Sequence, residues 1–207
     1  MTSSATLQCS CGEVRGRVAD IARRTVNRVV CYCADCQAFL HHIGRTDLFV
    51  PHAGTDIVQV APATLSFLQG RQNIVGLRLS PKGLYRWYAR CCRMPLGNTV
   101  APTIPFIGLV VQAFAGETQN VDDLVGPPIG AVYGNFAVGG APEGSTGFNP
   151  WLFARAIGMV LGWRLRGTTW PHPFFDQATH APTYPVTILA RSERDALRPL
   201  CGPLPIH

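Results

Sequence analysis

Lysine is nearly missing from this 207-residue chain: 17 of its 18 basic residues are arginine, and Lys82 stands alone. Arg23-Arg24 is the only adjacent basic pair. That scatter lacks the basic arm that tracks a nucleic-acid backbone, so nucleic acid is not the expected partner. Charge of either sign is scarce at 14%, while 47% of residues are hydrophobic, which excludes a disordered chain. Long apolar runs are missing too. The longest candidate, Trp151 to Trp163, is broken by Arg155, and no membrane span is expected. Met1 to Leu7 lacks the charged start and apolar stretch of a signal peptide, so a cytoplasmic protein with reduced thiols is expected. Internal repeats and low-complexity tracts are absent.

What is plentiful is glycine, at 21 residues, and proline, at 17, which implies many short loops and a mainly β architecture. Strands are expected at Glu13–Val18, Asn27–Cys31 and Asp56–Val60. Ile74–Leu79 and Leu84–Tyr88 flank Ser80-Pro81-Lys82-Gly83 and read as a hairpin leading into Cys91-Cys92. A short helix is expected over Ala34–Ile43, and a buried strand over Phe106–Phe114. The glycine- and proline-rich stretch Gly126–Pro150 reads as loop, broken by a strand near Ala131–Val138. Asn149-Pro150 opens a helix running to about Arg166, with asparagine as cap and proline in the first turn. Leu152, Ala156, Met159, Val160 and Trp163 recur on its core-facing side. Trp170–Asp176 is expected to cover apolar surface. The division expected is a core over 1–115 and an extension over 116–207 that packs on it as one structural unit.

The cysteines carry the functional signal. Seven of eight fall in the first 92 residues, as Cys9-Ser10-Cys11, Cys31-Tyr32-Cys33-Ala34-Asp35-Cys36 and Cys91-Cys92; Cys201 is a lone thiol with no role assigned. Disulfides are the competing arrangement, but C-x-C spacing suits their strict geometry poorly. Zinc bound by thiolates is tetrahedral, so seven sulfurs divide into a closed site of four and an open site of three. Residues two apart on a strand share a face, so Cys9 and Cys11 can hold one ion, and Cys31 and Cys33 another, with Cys36 arriving from the next turn. Cys91 and Cys92 are neighbours, so either one alone faces the metal or the backbone turns sharply there. With two zinc ions bound by seven thiolates, the formal charge of +6 falls to about +3.

The succession C-x-C-G, then C-x-C-x-x-C, then a strand ending in cysteines before Pro95-Leu96 resembles the glutathione-dependent formaldehyde-activating enzyme family, to which centromere protein V is similar. The likeness covers roughly residues 5 to 115. It implies a β-tent zinc-binding fold with a C-terminal extension containing at least one helix. It also implies a structural zinc on Cys9, Cys11 and the last cysteine pair, Cys91 and Cys92, and a second zinc at an active site formed by Cys31, Cys33 and Cys36. The family's last pair reads F-C-x-x-C-G-x-P-L, whereas this chain has Tyr88-Ala89-Arg90-Cys91-Cys92-Arg93-Met94-Pro95-Leu96. Tyr32 stands where the family often has histidine.

His41 and His42 follow the triad, and His42 is a candidate fourth ligand or general acid/base beside the second zinc. Three thiolates outweigh the zinc dication by one charge, which makes the ion a poor Lewis acid for hydrolysis but a good partner for a soft thiol. Arg45, Arg71 or Arg93 is expected to offset the extra negative charge. The expected function is therefore a zinc-dependent enzyme acting on a small, thiol-containing molecule. By the resemblance, it makes or breaks a carbon–sulfur bond, as in joining glutathione to formaldehyde to give S-hydroxymethylglutathione. The alternative is a non-catalytic zinc module that binds protein or nucleic acid.

Overall fold

Two sheets organise the structure, a computed structural model that describes residues 3–114, 121–146 and 148–203. The smaller has the order β1-β2-β5, with β1 Ala5–Gln8, β2 Arg15–Val18 and β5 Leu65–Gln69. Along β2 the arginines face out while Gly16 and Val18 face in. Gly16 is needed there, because a Cβ would sit 2.9 Å from the Ser66 carbonyl oxygen.

The larger sheet has eight strands in the order β10-β3-β4-β9-β8-β7-β6-β11. Its strands are β3 Asn27–Cys31, β4 Thr55–Val60, β6 Ile74–Arg78, β7 Tyr85–Ala89, β8 Met94–Thr99, β9 Ile107–Val110, β10 Ala131–Val132 and β11 Val186–Ile188. β8 and β9 are buried at every position, which is why Ile107–Val110 reads as an unbroken apolar run and not as an alternation. That run ends sooner than the sequence suggests, because a 3-10 turn at Val111–Ala113 replaces the strand.

The β6–β7 hairpin forms in the expected place, with Ile74 opposite Ala89 and Leu77 opposite Arg86. Its Trp87 is fully buried and stacks on Phe174 at 4.7 Å, with Phe175 edge-on at 5.7 Å. Trp170–Asp176 thus supplies core, and not merely a cover. Truncating such an aromatic costs about 3–5 kcal/mol.

The chain beyond residue 130 adds both edge strands of the large sheet: β10 pairs parallel with β3, and β11 parallel with β6. The strand near Ala131 is only two residues long, since a 3-10 turn at Gly134–Phe136 follows. A buried ion network strengthens the same joint. Arg28 on β3 binds Asp56 on β4 at 2.8 Å, and also Asp122 and the Gly126 carbonyl (2.8 Å) around helix α2, Val121–Val125.

Helix α1 spans Ala34–His42 and helix α3 spans Pro150–Leu165. Asn149 caps α3 by accepting from the Leu152 N–H at 3.0 Å, as its sequence predicts. Leu152 and Trp163 are buried, while Trp151, Phe153, Ile157, Leu161 and Leu165 on the other side are exposed. A short helix α4, Arg191–Leu197, and a 3-10 turn at Arg198–Leu200 follow near the end of the described residues. No helix among the described residues is long and apolar enough to cross a membrane.

Candidate functional site

The seven clustered cysteines gather into two groups, Cys9, Cys11, Cys91 and Cys92 in one, and Cys31, Cys33 and Cys36 in the other. Within each group all the Sγ atoms lie within 4.8 Å of one another.

The group of four joins two hairpin loops. Cys9 and Cys11 sit beyond β1, in a knuckle closed by Cys9 N–H to the Val14 carbonyl at 3.0 Å and Gly12 N–H to the Cys9 carbonyl at 2.9 Å. They converge because the loop curls, not because a strand aligns them. Cys91 and Cys92 lie in the turn between β7 and β8, where Arg93 takes a left-handed φ of 55°. That sharp turn lets two neighbours face one point, so both join the group. Arg45 brackets the turn from outside, donating to the Cys92 carbonyl at 3.2 Å while paired with Asp47 at 2.9 Å.

The group of three is built on the β3-to-α1 junction. Cys31 ends β3, Cys33 is the N-cap of α1, and Cys36 lies in the first turn with its N–H 3.4 Å from Cys33 Sγ. Buried Gln37 braces the junction, donating to the carbonyls of Tyr32 (2.7 Å) and Phe136 (2.8 Å) and accepting from the Gly202 N–H (2.7 Å).

Sulfurs at ~2.3 Å around a tetrahedral ion lie ~3.8 Å apart. The observed separations are 3.5 Å for Cys9–Cys11, 3.9 Å for Cys9–Cys91, 3.2 Å for Cys11–Cys91 and 3.8 Å for Cys31–Cys36. Both groups fit a metal ion. The first offers four ligands and the second three.

Electrostatics separates the groups further. In the triad, hydrogen bonds from Cys31 and Cys33 hold the Cys36 thiol well below its ordinary value, with the Arg86 guanidinium adding to the effect. Cys31 is driven well above its ordinary value, first by its donation to Cys33 and Cys36 and then by burial. Cys33 is pushed up to about 12: contact with Cys31 lowers it, but donation to Cys36, burial and the Cys36 charge outweigh that. Without a cation, three thiols this close settle on one thiolate. In the group of four, exposed Cys11 is lowered to about 7 by the Glu13 backbone N–H and by Cys91, while burial and the neighbouring thiols raise Cys91.

Arg86 is the cation beside the triad. Its side chain, 3% exposed, lies 3.6 Å from Cys36 Sγ and 3.8 Å from Asp35. Arg45 instead serves the group of four, Arg71 donates to the Tyr184 hydroxyl, and Arg93 lies in the β7–β8 turn. His42 is exposed in the last turn of α1, roughly 9 Å of helix from Cys36, and His41 packs at a tilt against Phe49. Among the described residues no histidine joins either group.

Above the triad opens a cleft of ≈ 580 Å³. Cys31, Cys33 and Cys36 line it together with Arg86, Asn98 and Tyr133. Tyr133 adopts a left-handed φ of 61°, a strain that non-glycine residues bear mostly where the fold fixes a side chain. Burial first, then the charge of the triad, raises its phenol, which keeps the hydroxyl protonated at neutral pH.

Residues 1–183 match the Family of unknown function (DUF6151). The chain belongs to this family. No curated protein matches. Among solved structures, the crystal structure of a Rhodobacter sphaeroides protein is similar at 16% identity and a TM-score of 0.41, over 61% of this chain and 98% of that one. In this DUF6151 chain, all seven cysteines of both groups fall inside the matched residues.

Sequence reasoning missed Arg86, Asn98 and Tyr133. Arg86 alternates with Trp87 along β7, which reads as a solvent-facing position, yet the sheet is covered on both faces there. Tyr133 follows a two-residue strand inside a loop-like stretch and carries no local signal.

Proposed function

We propose that the chain is a zinc-dependent enzyme that forms or cleaves a carbon–sulfur bond in a small thiol adduct, with one zinc on Cys9, Cys11, Cys91 and Cys92 and a second on Cys31, Cys33 and Cys36. The observation that carries this reading is the asymmetry of the two groups. Four sulfurs offer a complete tetrahedral ligand set in one group, while three sulfurs line a ≈ 580 Å³ cleft and leave one tetrahedral position open. Bound there, zinc would supply a soft site for a substrate thiolate at neutral pH. The likeness of the cysteine pattern to the formaldehyde-activating family supports the same reaction class, and the eight free thiols suit a reducing cytoplasmic setting.

The chain's own residues account for the rest of the site. In the forward direction a thiol adds to an aldehyde. The sulfur–carbon bond forms, the carbonyl π pair moves to oxygen, and the thiol proton ends on that oxygen, with no change of redox state. Tyr133 lines the same cleft and carries a protonated hydroxyl, so it can donate to the oxygen and be recharged by the thiol proton. Arg86 offsets the surplus negative charge of three thiolates, and its burial keeps that charge fixed. Gln37 holds the β3–α1 junction still.

The test is elemental analysis of protein purified under reducing conditions, followed by cobalt substitution. Two zinc ions per chain are expected, and thiol addition should shift the bands of one cobalt site only. Metal-free protein with the same cysteines paired as disulfides would remove the reading. Cobalt bands indifferent to thiols and carbonyl compounds, together with salt-sensitive DNA binding, would favour a non-catalytic module.

A further inference from the structure

The cleft above the triad does not end at its own rim. A second cleft of ≈ 450 Å³ shares Val29, Gln59, Val132, Tyr133 and Phe136 with it and continues to Phe148 and Phe153 beside α3. The three sulfurs therefore line one of two adjoining clefts, a trough whose other walls are mostly aliphatic and aromatic.

Charge is nearly missing from that trough. Among the described residues lining both clefts, Arg86 is the one cation and Asp35 the one anion. Arg86 is already engaged by Cys36 and Asp35 and has almost no exposed surface. Asp35, with 62% of its side chain exposed, adds negative charge at the mouth. A ligand bearing carboxylates would give up its water here without gaining a counter-ion. An uncharged apolar body has no such loss and gains from burial.

We propose that the ligand of the Cys31–Cys33–Cys36 site is a thiol whose body is apolar and uncharged, free or as its carbonyl adduct, and not a charged peptide thiol such as glutathione. Its sulfur sits at the triad and its body runs along the trough past Val132 and Tyr133 toward Phe136. This inference rests on the reading of the triad as an open metal centre.

The experiment is a titration of the full-length cobalt-loaded protein with benzyl mercaptan and, separately, with glutathione, read from the thiolate-to-cobalt bands. Benzyl mercaptan should half-saturate the shift at a concentration roughly tenfold lower than glutathione. The variant Val100→Arg places a cation at a lining position that is 45% exposed and so tolerates the change. It should narrow that gap about threefold by favouring glutathione. Glutathione binding as tightly as benzyl mercaptan overturns the apolar ligand and leaves the open site standing. A gap that Val100→Arg does not move puts the ligand outside this cleft and also overturns the inference. Bands that no thiol shifts, in protein carrying both metal ions, overturn the open site itself.

Discussion

Replacing His172 by asparagine should flatten the acid side of the stability curve. His172 is buried among Trp170, Phe174 and Phe175, with Phe175 4.8 Å away between ring centroids. Its Nδ1 accepts from the Phe174 N–H at 3.1 Å, so the proton rides on Nε2, which has no hydrogen-bond partner among the described residues. Protonating Nδ1 would break that bond and place a charge among aromatic rings. Burial accordingly pushes the imidazole down to about 4, from an ordinary value of about 6.5. Between those values the unfolded chain binds a proton that the folded chain refuses, so stability falls as pH falls from about 6.5 toward about 4. The linkage amounts to about 2 kcal/mol by pH 5 and about 3 kcal/mol in full. Asparagine can keep an acceptor near Nδ1 but cannot titrate. Urea unfolding at pH 7.5 and pH 5 should show the wild type losing about 2 kcal/mol more than His172→Asn, or about 1 M in midpoint. Acid loss of metal affects both proteins alike and cancels in the difference. Equal losses, or an NMR titration placing His172 near its ordinary value, would refute the reasoning.

Arg28→Met should cost about 3–5 kcal/mol in denaturant unfolding, because it leaves Asp56 buried without its partner. Cys11→Ser should remove one metal ion and much of the thermal stability, since a closed site contributes directly to folding, whereas Cys33→Ser should remove one ion and leave a largely folded chain; metal analysis beside thermal melts distinguishes them. Arg86→Met should make the triad release its ion at a higher pH. About 2 kcal/mol of screened attraction, spread over three thiolates that take up protons, corresponds to about half a pH unit in an acid titration of cobalt-loaded protein.

What could be read in advance was whatever local signals specify. β3 runs from Asn27 to Cys31 as its sequence suggests, and α3 begins at Pro150 under an Asn149 cap. The β6–β7 hairpin follows its Ser80–Gly83 turn. β8 was invisible because Met94–Thr99 contains Pro95 and Gly97 and is buried on both faces, so no alternation marks it. β10 and β11, of two and three residues, exist only because a parallel partner strand hydrogen-bonds with them.

The same division runs through the site. By itself the sequence determined the candidate ligand type and the local sets Cys9 with Cys11 and Cys31 with Cys33 and Cys36, because thiol chemistry and short spacing need no fold to be recognised. Tertiary structure alone decided that Cys91 and Cys92 both turn inward, that His42 faces away, and that Arg86 is the cation beside Cys36. Each of those depends on where a hairpin turn, a helix end or a neighbouring strand lies in space, and residues 50 positions apart, as Cys36 and Arg86 are, meet only once the sheet has formed.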